Sequence, residues 1–383
     1  MDTEQAKELK GLAKWLCGKE PSDIRACIGF DGFVDEVVHV VDKRIDPLNY
    51  TRVKTLTEYG QRIASTSGLS SNVEIATVSK KLGGNGPILA NALIELGARM
   101  SYIGAIGYPS IHPVFEDMAK RCESVYNVSN PSSTDAMEFE DGKIIRSKLS
   151  PFLELNFDAV KQRTGLEVLA RLIDECSLIG FENWSLVAYS EQIWKGIYNE
   201  VLPLCKEETR DKVLFFDIAD PALRPVKDLR AALETISGFS GRFNVILGLN
   251  LREAVQVANA YGASFGYSDY NLQKIAQFIK RNVNVGTLVI HPLKESCCLS
   301  DDGFCERQGA YCSSPALTTG AGDNFNAGFL LGFCLGAGAE KSLLLGMAVS
   351  GFYVRNARSP GFNELIRFIE SWADGNLDKN KEG

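Results

Sequence analysis

Short apolar runs of strand length alternate with segments of helical period along most of this chain, and no other feature limits its fold so strongly. The runs fall at residues 26–30, 100–106, 185–189, 213–218, 244–249 and 287–290. Between them, apolar residues recur at helical spacing over 87–96, 166–176, 251–261 and 271–280, the first opening on Pro87 and followed by Gly97. A strand buried on both faces reads as a continuous apolar run, and helices that return between parallel strands cover both faces of their sheet. The alternation therefore predicts an α/β, Rossmann-like fold, a mostly parallel sheet flanked by helices. Segments 341–356 and 363–373 are expected as closing helices, and the polar tail 376–383 is expected to fray.

Three stretches break the rhythm. Residues 35–43, 72–82 and 124–149 carry β-branched, partly alternating patterns with no helix of matching length between them. They predict a small antiparallel β-sheet lid, with Asp141-Gly142 turning a hairpin. The expected division is an α/β body of 1–34, 83–123 and 150–383 and a lid with its insertion of 35–82 and 124–149.

Composition narrows the chemistry. With 383 residues, 45% of them hydrophobic, the chain can bury a sizeable core. Its 41 basic and 48 acidic residues give a net charge of −7, and no long basic run suggests a nucleic-acid or anionic-membrane partner. No stretch reaches the roughly 18 apolar residues of a membrane span, and the first residues are charged rather than signal-like, so a cytoplasmic location is expected. Ten dispersed cysteines form no CxxC, and three histidines stand far apart, so neither a disulfide framework nor a zinc cluster has local support. Chemistry is left to carboxylates and glycines.

The most informative segment is 317–338, LTTGAGDNFNAGFLLGFCLGAG, a glycine turn running into an apolar-faced helix. Backbone N–H groups of Gly320, Ala321 and Gly322 at the helix start, together with the helix dipole, suit a phosphoryl group. Asp323 then stands in the first turn, where it can take a proton from an attacking hydroxyl, and the helix terminus is expected to keep it ionised. Read alone, GAGD equally fits an acidic cap after a turn. Asn250 and Glu253 follow the run 244–249 and either hold waters of a magnesium ion or form a capping box. Gly83, Gly84, Asn85 and Gly86 make either a ligand-approaching turn or a tight entry to the helix at Pro87. Asp31 and Asp35, after the first run, suit a polyol, with an Asx turn the other reading of Asp31. Asp217 and Arg224 read better as loop braces than as ligands.

Taken together these motifs resemble the ribokinase-type carbohydrate kinases, the PfkB family. Asp35, GGNG at 83–86, NLRE at 250–253 and TTGAGDNFNAGF at 318–329 occur in the family's order over most of the chain. The resemblance implies a ribokinase-like body with a β lid, ATP and magnesium, and phosphorylation of a sugar hydroxyl. It implies Asp323 as general base, Gly320, Ala321, Gly322 and Asp323 as the anion hole, and Asp31, Asp35, Gly83, Gly84 and Asn85 on the substrate. Asn250, Glu253, Thr318, Thr319 and Gly322 would face the nucleotide, with magnesium held through water by Asn250 and Glu253. The lid would also offer a homodimer surface. Leu317 stands where relatives carry the Asp that helps hold a monovalent cation, so potassium activation is not expected. HPLKES at 291–296 replaces a Thr-Leu-Gly turn and leaves nucleotide preference open. The competing readings are a nucleoside kinase of the same family and a silent sugar- or nucleotide-binding protein.

Overall fold

The computed structural model describes residues 3–377, so most of the tail expected to fray, 378–383, lies outside the described residues. In chain order the strands are β1 (Arg25–Phe30), β2 (Phe33–Arg44), β3 (Tyr50–Arg52), β4 (Ile75–Gly83), β5 (Arg99–Gly104), β6 (Ser124–Asn127), β7 (Ser132–Phe139), β8 (Gly142–Lys148), β9 (Leu178–Phe181), β10 (Val213–Asp217), β11 (Asn244–Leu249), β12 (Thr287–Ile290), β13 (Glu295–Ser300) and β14 (Gly303–Gln308). Nine of them form one sheet in the order β14-β13-β12-β11-β10-β9-β1-β5-β6. The seven from β12 to β6 are parallel, and β13 and β14 fold back antiparallel at one edge.

The predicted helices appear within a few residues of their expected bounds, as Asn85–Glu95, Leu166–Glu175, Leu251–Ala260 and Leu272–Asn282. They and their neighbours cover both faces of the sheet. One face buries Phe181, Trp194, Phe216 and Phe239, with the Trp194 and Phe216 rings edge to face at 5.0 Å. The other face buries Leu93, Phe329 and Leu345 under the helices Ala321–Cys334 and Ala339–Asn356. An N-terminal helix that the alternation did not reveal, Thr3–Leu16, packs Leu9, Leu12 and Leu16 beside the helix Phe362–Ala373. Among the described residues no helix is long and apolar enough to cross a membrane.

Two expectations are corrected. Residues 185–189 form turns rather than a strand; the strand is β9, a shorter run interrupted by Gly180. The second sheet is mixed, not antiparallel. β2 pairs antiparallel with β4 and β3 but parallel with β7, and β8 flanks β7. β6, expected among the lid strands, instead pairs with β5 at the edge of the large sheet. The parallel pairing follows from that: β1 and β6 leave the same edge of a parallel sheet, so their continuations β2 and β7 run in one direction. The β7–β8 hairpin forms, but Phe139 pairs with Gly142, so the turn residues are Glu140 and Asp141. Val38, Val40, Val53, Met137 and Phe139 give this small sheet a core of its own.

Candidate active site

Parallel strands end on one edge of the large sheet, and that edge carries the polar residues. Asp31 follows β1, Glu182 and Asn183 follow β9, Asp217 closes β10, Asn250 follows β11 and His291 follows β12. The chain moves outward in opposite directions from β1, to β5 and β6 on one side and to β9 through β12 on the other. Crevices at such a reversal are where open α/β sheets bind ligands.

Asp31 is fully buried, and its carboxylate accepts from Asn85 N (3.0 Å), Gly86 N (2.9 Å) and Asn183 Nδ2 (2.8 Å). Burial nevertheless pushes it up to about 6. Both oxygens accept from the protein, so Asp31 anchors the GGNG turn. The anchor aims Asn85, whose Nδ2 donates to Asp323 Oδ1 at 3.0 Å. Gly83 is needed for close approach, since a Cβ there would lie 2.3 Å from Asp35 Cγ. Asp35 itself is half-buried on β2 and raised by burial, an effect opposed by Lys81, Thr134 and Lys143.

Gly320 caps the helix Ala321–Cys334 with a φ of 88°, a left-handed conformation that glycine adopts without penalty. Ala321 N donates to Thr318 O at 3.1 Å, so this amide closes the turn and is not free for an anion as expected. Tyr353 and Lys143 brace the loop, by Tyr353 OH to Thr319 O at 2.7 Å and by Lys143 Nζ to Thr319 Oγ1 at 3.3 Å. Lys143 comes from the lid strand β8, and the sequence pattern marked it only as part of a turn.

Asp323 is 7% exposed, and burial first, then the negative charges of Asp217 and Asp31, raise it well above the usual carboxylate range. Desolvation thus opposes the charge that the helix terminus was expected to favour on it. Glu182 is raised too, by burial and then by Asp217, Asp323 and Asp31. Glu182, Asp217 and Asp323 each direct a carboxylate oxygen to within 4.8 Å of the others. Sequence reasoning missed Glu182 because it misplaced β9, and it took Asp217 for a brace.

Asn250 and Glu253 form the capping box. Asn250 N donates to Glu253 Oε2 (2.8 Å), Glu253 N donates to Asn250 Oδ1 (3.0 Å), and Asn250 Nδ2 donates to Glu253 Oε1 (2.6 Å). Glu253 is buried and raised by that burial and by Asp217. His291 stacks on Phe325 with ring centroids 4.7 Å apart, and burial lowers it to about 4, which keeps it neutral.

Two cavities meet at this loop. One, of about 360 Å³, lies between lid and body and is lined by Asp35, Lys143, Asn85, Thr319, Gly320 and Asp323, among others. The other, of about 860 Å³, lies on the far side and takes in Asn250, His291, Tyr311, Thr318, Ala321 and Gly322. The loop Thr318–Asp323 thus forms a wall common to both.

Comparison with known proteins gives this geometry a context. The family model for prokaryotic ketohexokinase matches residues 4–372. A ketohexokinase of Haloferax volcanii is 27% identical over 352 residues, covering 91% of this chain and 92% of that protein. Among solved structures, the fructokinase of Xylella fastidiosa with bound ATP superposes with a TM-score of 0.63 at 12% identity, covering 93% of this chain and all of that one (100%). The adenosine kinase of Sinorhizobium meliloti gives 0.61 at 17% identity, covering 90% and 97%. The ribokinase fold is thereby shown, and the chain belongs to the prokaryotic ketohexokinase family, carbohydrate kinases of the PfkB type.

Proposed function

We propose that this ATP-dependent carbohydrate kinase transfers the terminal phosphoryl group of ATP to a hydroxyl of a ketohexose. The observation that carries the reading is the shared wall: Asp323 faces the lid-side cavity while Gly322 faces the other, so an acceptor and a nucleotide in the two cavities would meet at one helix N-terminus. The lid-side cavity takes the sugar, held by Asp35 and Asn85. The larger one takes the nucleotide, beside Thr318 and the stacked His291. Asp323 accepts the hydroxyl proton as bonding to phosphorus advances, Asn85 fixes which oxygen faces the acceptor, and Lys143 supplies positive charge at the loop. Magnesium would offset phosphate charge, and the acids at the strand ends, Glu253 included, are the residues fitted to position its waters.

A coupled assay of nucleotide turnover against ketohexoses, aldohexoses, sugar acids and nucleosides tests the substrate. Turnover confined to ketohexoses supports the reading, whereas a preference for nucleosides would transfer the chain to the nucleoside kinases. Leu317 offers no side-chain ligand to a monovalent cation, so exchanging sodium for potassium at fixed ionic strength should leave the rate nearly unchanged. Ile75 and Val78 are exposed on the lid edge strand β4, which supports a homodimer through the lid; its mass in solution is the check.

A further inference from the structure

Cys298 on β13 and Cys305 on β14 stand directly opposite each other in an antiparallel hairpin. Among the described strands they are the one pair of cysteines in register. Facing side chains share a side of the sheet, and both thiols lie in the apolar layer beside the helix Ala339–Asn356, whereas Cys297 lies in the opposite layer. Cys298 is fully buried, Cys305 is half-buried, and β14 is the edge strand of the large sheet, so a small solute meets Cys305 first. The hydrogen bond with the Cys298 thiol lowers Cys305 against the opposing effect of burial, while burial raises Cys27, Cys122, Cys176, Cys205, Cys297 and Cys334. A thiol that ionises more readily than these, with partial exposure and a second thiol within reach, is built to respond to oxidants.

We propose that Cys305 and Cys298 are a peroxide-responsive pair that closes to a reversible disulfide across the β13–β14 hairpin. The Cys305 thiolate attacks one oxygen of hydrogen peroxide and breaks the O–O bond. Cys305 becomes a sulfenic acid, and the departing hydroxide takes up the proton that the thiol gave away and leaves as water. The Cys298 sulfur then attacks Cys305 Sγ, and its proton leaves with the displaced hydroxyl as a second water. Two thiols are oxidised by two electrons in total, and one peroxide is reduced to two waters. Facing residues hold their Cβ atoms about 4.5 to 5.5 Å apart and a disulfide holds them about 3.5 to 4.5 Å apart, so the hairpin must close up slightly, which the edge position of β14 allows. That mismatch keeps the bond easily reduced, as suits a transient bridge in a compartment that keeps thiols reduced. The same hairpin carries Glu295 at its start and is followed by Gly309, and both line the larger cavity. Closing the bridge therefore shifts a wall of that cavity and weakens nucleotide binding, and only this consequence rests on the proposed function.

The test treats the full chain with equimolar hydrogen peroxide, caps remaining thiols by alkylation, and reads intact mass and mapped peptides. The expected result is the loss of two of the ten free thiols, one linked peptide joining Cys298 to Cys305, and recovery of both thiols in dithiothreitol. Cys305→Ser should abolish the linked peptide and leave Cys298 reduced. Cys298→Ser should trap the sulfenic acid on Cys305, where dimedone labels it, with melting of both variants read in parallel as the check on folding. Ten thiols left free overturn the pair, as does a bridge between Cys297 and Cys298 or oxidation that reaches other cysteines first. In calorimetry the bridged protein should bind a non-hydrolysable nucleotide several-fold more weakly than the reduced protein, and reduction should restore the affinity. Equal affinities would overturn the connection to the cavity. Turnover of ketohexoses by the reduced enzyme judges the kinase reading by itself.

Discussion

Asp323 carries two demands at once, since it must be ionised to act as a base and its surroundings oppose that charge. Its folded pKa lies above the unfolded one, so stability is greatest when the group is protonated and declines as pH rises from the unfolded value through the folded one. Asp323→Asn should therefore melt at or above the wild-type temperature at pH 7–8 while kcat drops by about 10²- to 10⁴-fold. Near-normal kcat would remove the base. The same sign fixes the pH profile: in chelator-treated enzyme assayed at limiting magnesium, kcat/KM should fall on the acid side with an apparent pKa above the ordinary Asp range. A limb at the ordinary value would show that neither burial nor the charge of Asp217 and Asp31 is felt. Asp35→Ala acts on the sugar: with about 1.5 to 3 kcal/mol in one hydrogen bond to a charged group, KM for the sugar should rise roughly 10- to 150-fold with nucleotide affinity unchanged. Equal KM in steady-state assays would take Asp35 out of the cavity.

Elements show how far the sequence could be read. Strands buried on both faces announced themselves as apolar runs, and five of the six expected runs are strands. β9 was missed because its run is only four residues long and is broken by Gly180, whereas the neighbouring stretch 185–189 is longer; Trp184 beside it is fully buried in a turn. That one misplacement hid Glu182, because a strand end is legible only when the strand is. The motif residues were legible as residues but not as partners. Nothing in GGNG foretold that Asn85 reaches Asp323, 238 positions away, or that Asp31 is tied up beneath the turn. NLRE read by itself as a cap and beside the glycine-turn motif as a magnesium holder, and the capping box is the geometry present. Lys143 shows the same limit, for its role depends on where the hairpin lands. Lys143→Met should lower kcat about tenfold, the worth of ~1.5 kcal/mol in one charge-assisted hydrogen bond, with stability unaltered. Pre-steady-state turnover that is unchanged would leave the lysine a lid fastening only.

The whole molecule is a mostly parallel sheet whose strand ends present acids, and a smaller sheet with a separate core placed over them. The chain passes from one sheet to the other after β1, β4, β6 and β8, and the links after β1 and β4, at Asp31 and the GGNG turn, attach the lid where the site is built. The one loop shared by both cavities makes the two substrates energetically aware of each other. An occupant on either side that orders Thr318–Asp323 lowers the ordering cost left for its counterpart, and linkage requires the two effects to be equal. Sugar should bind more tightly in the presence of a non-hydrolysable nucleotide, by the same factor as the nucleotide gains from sugar. Calorimetric titrations in both orders measure that factor, and a value of one would mean that the wall between the cavities is already fully set.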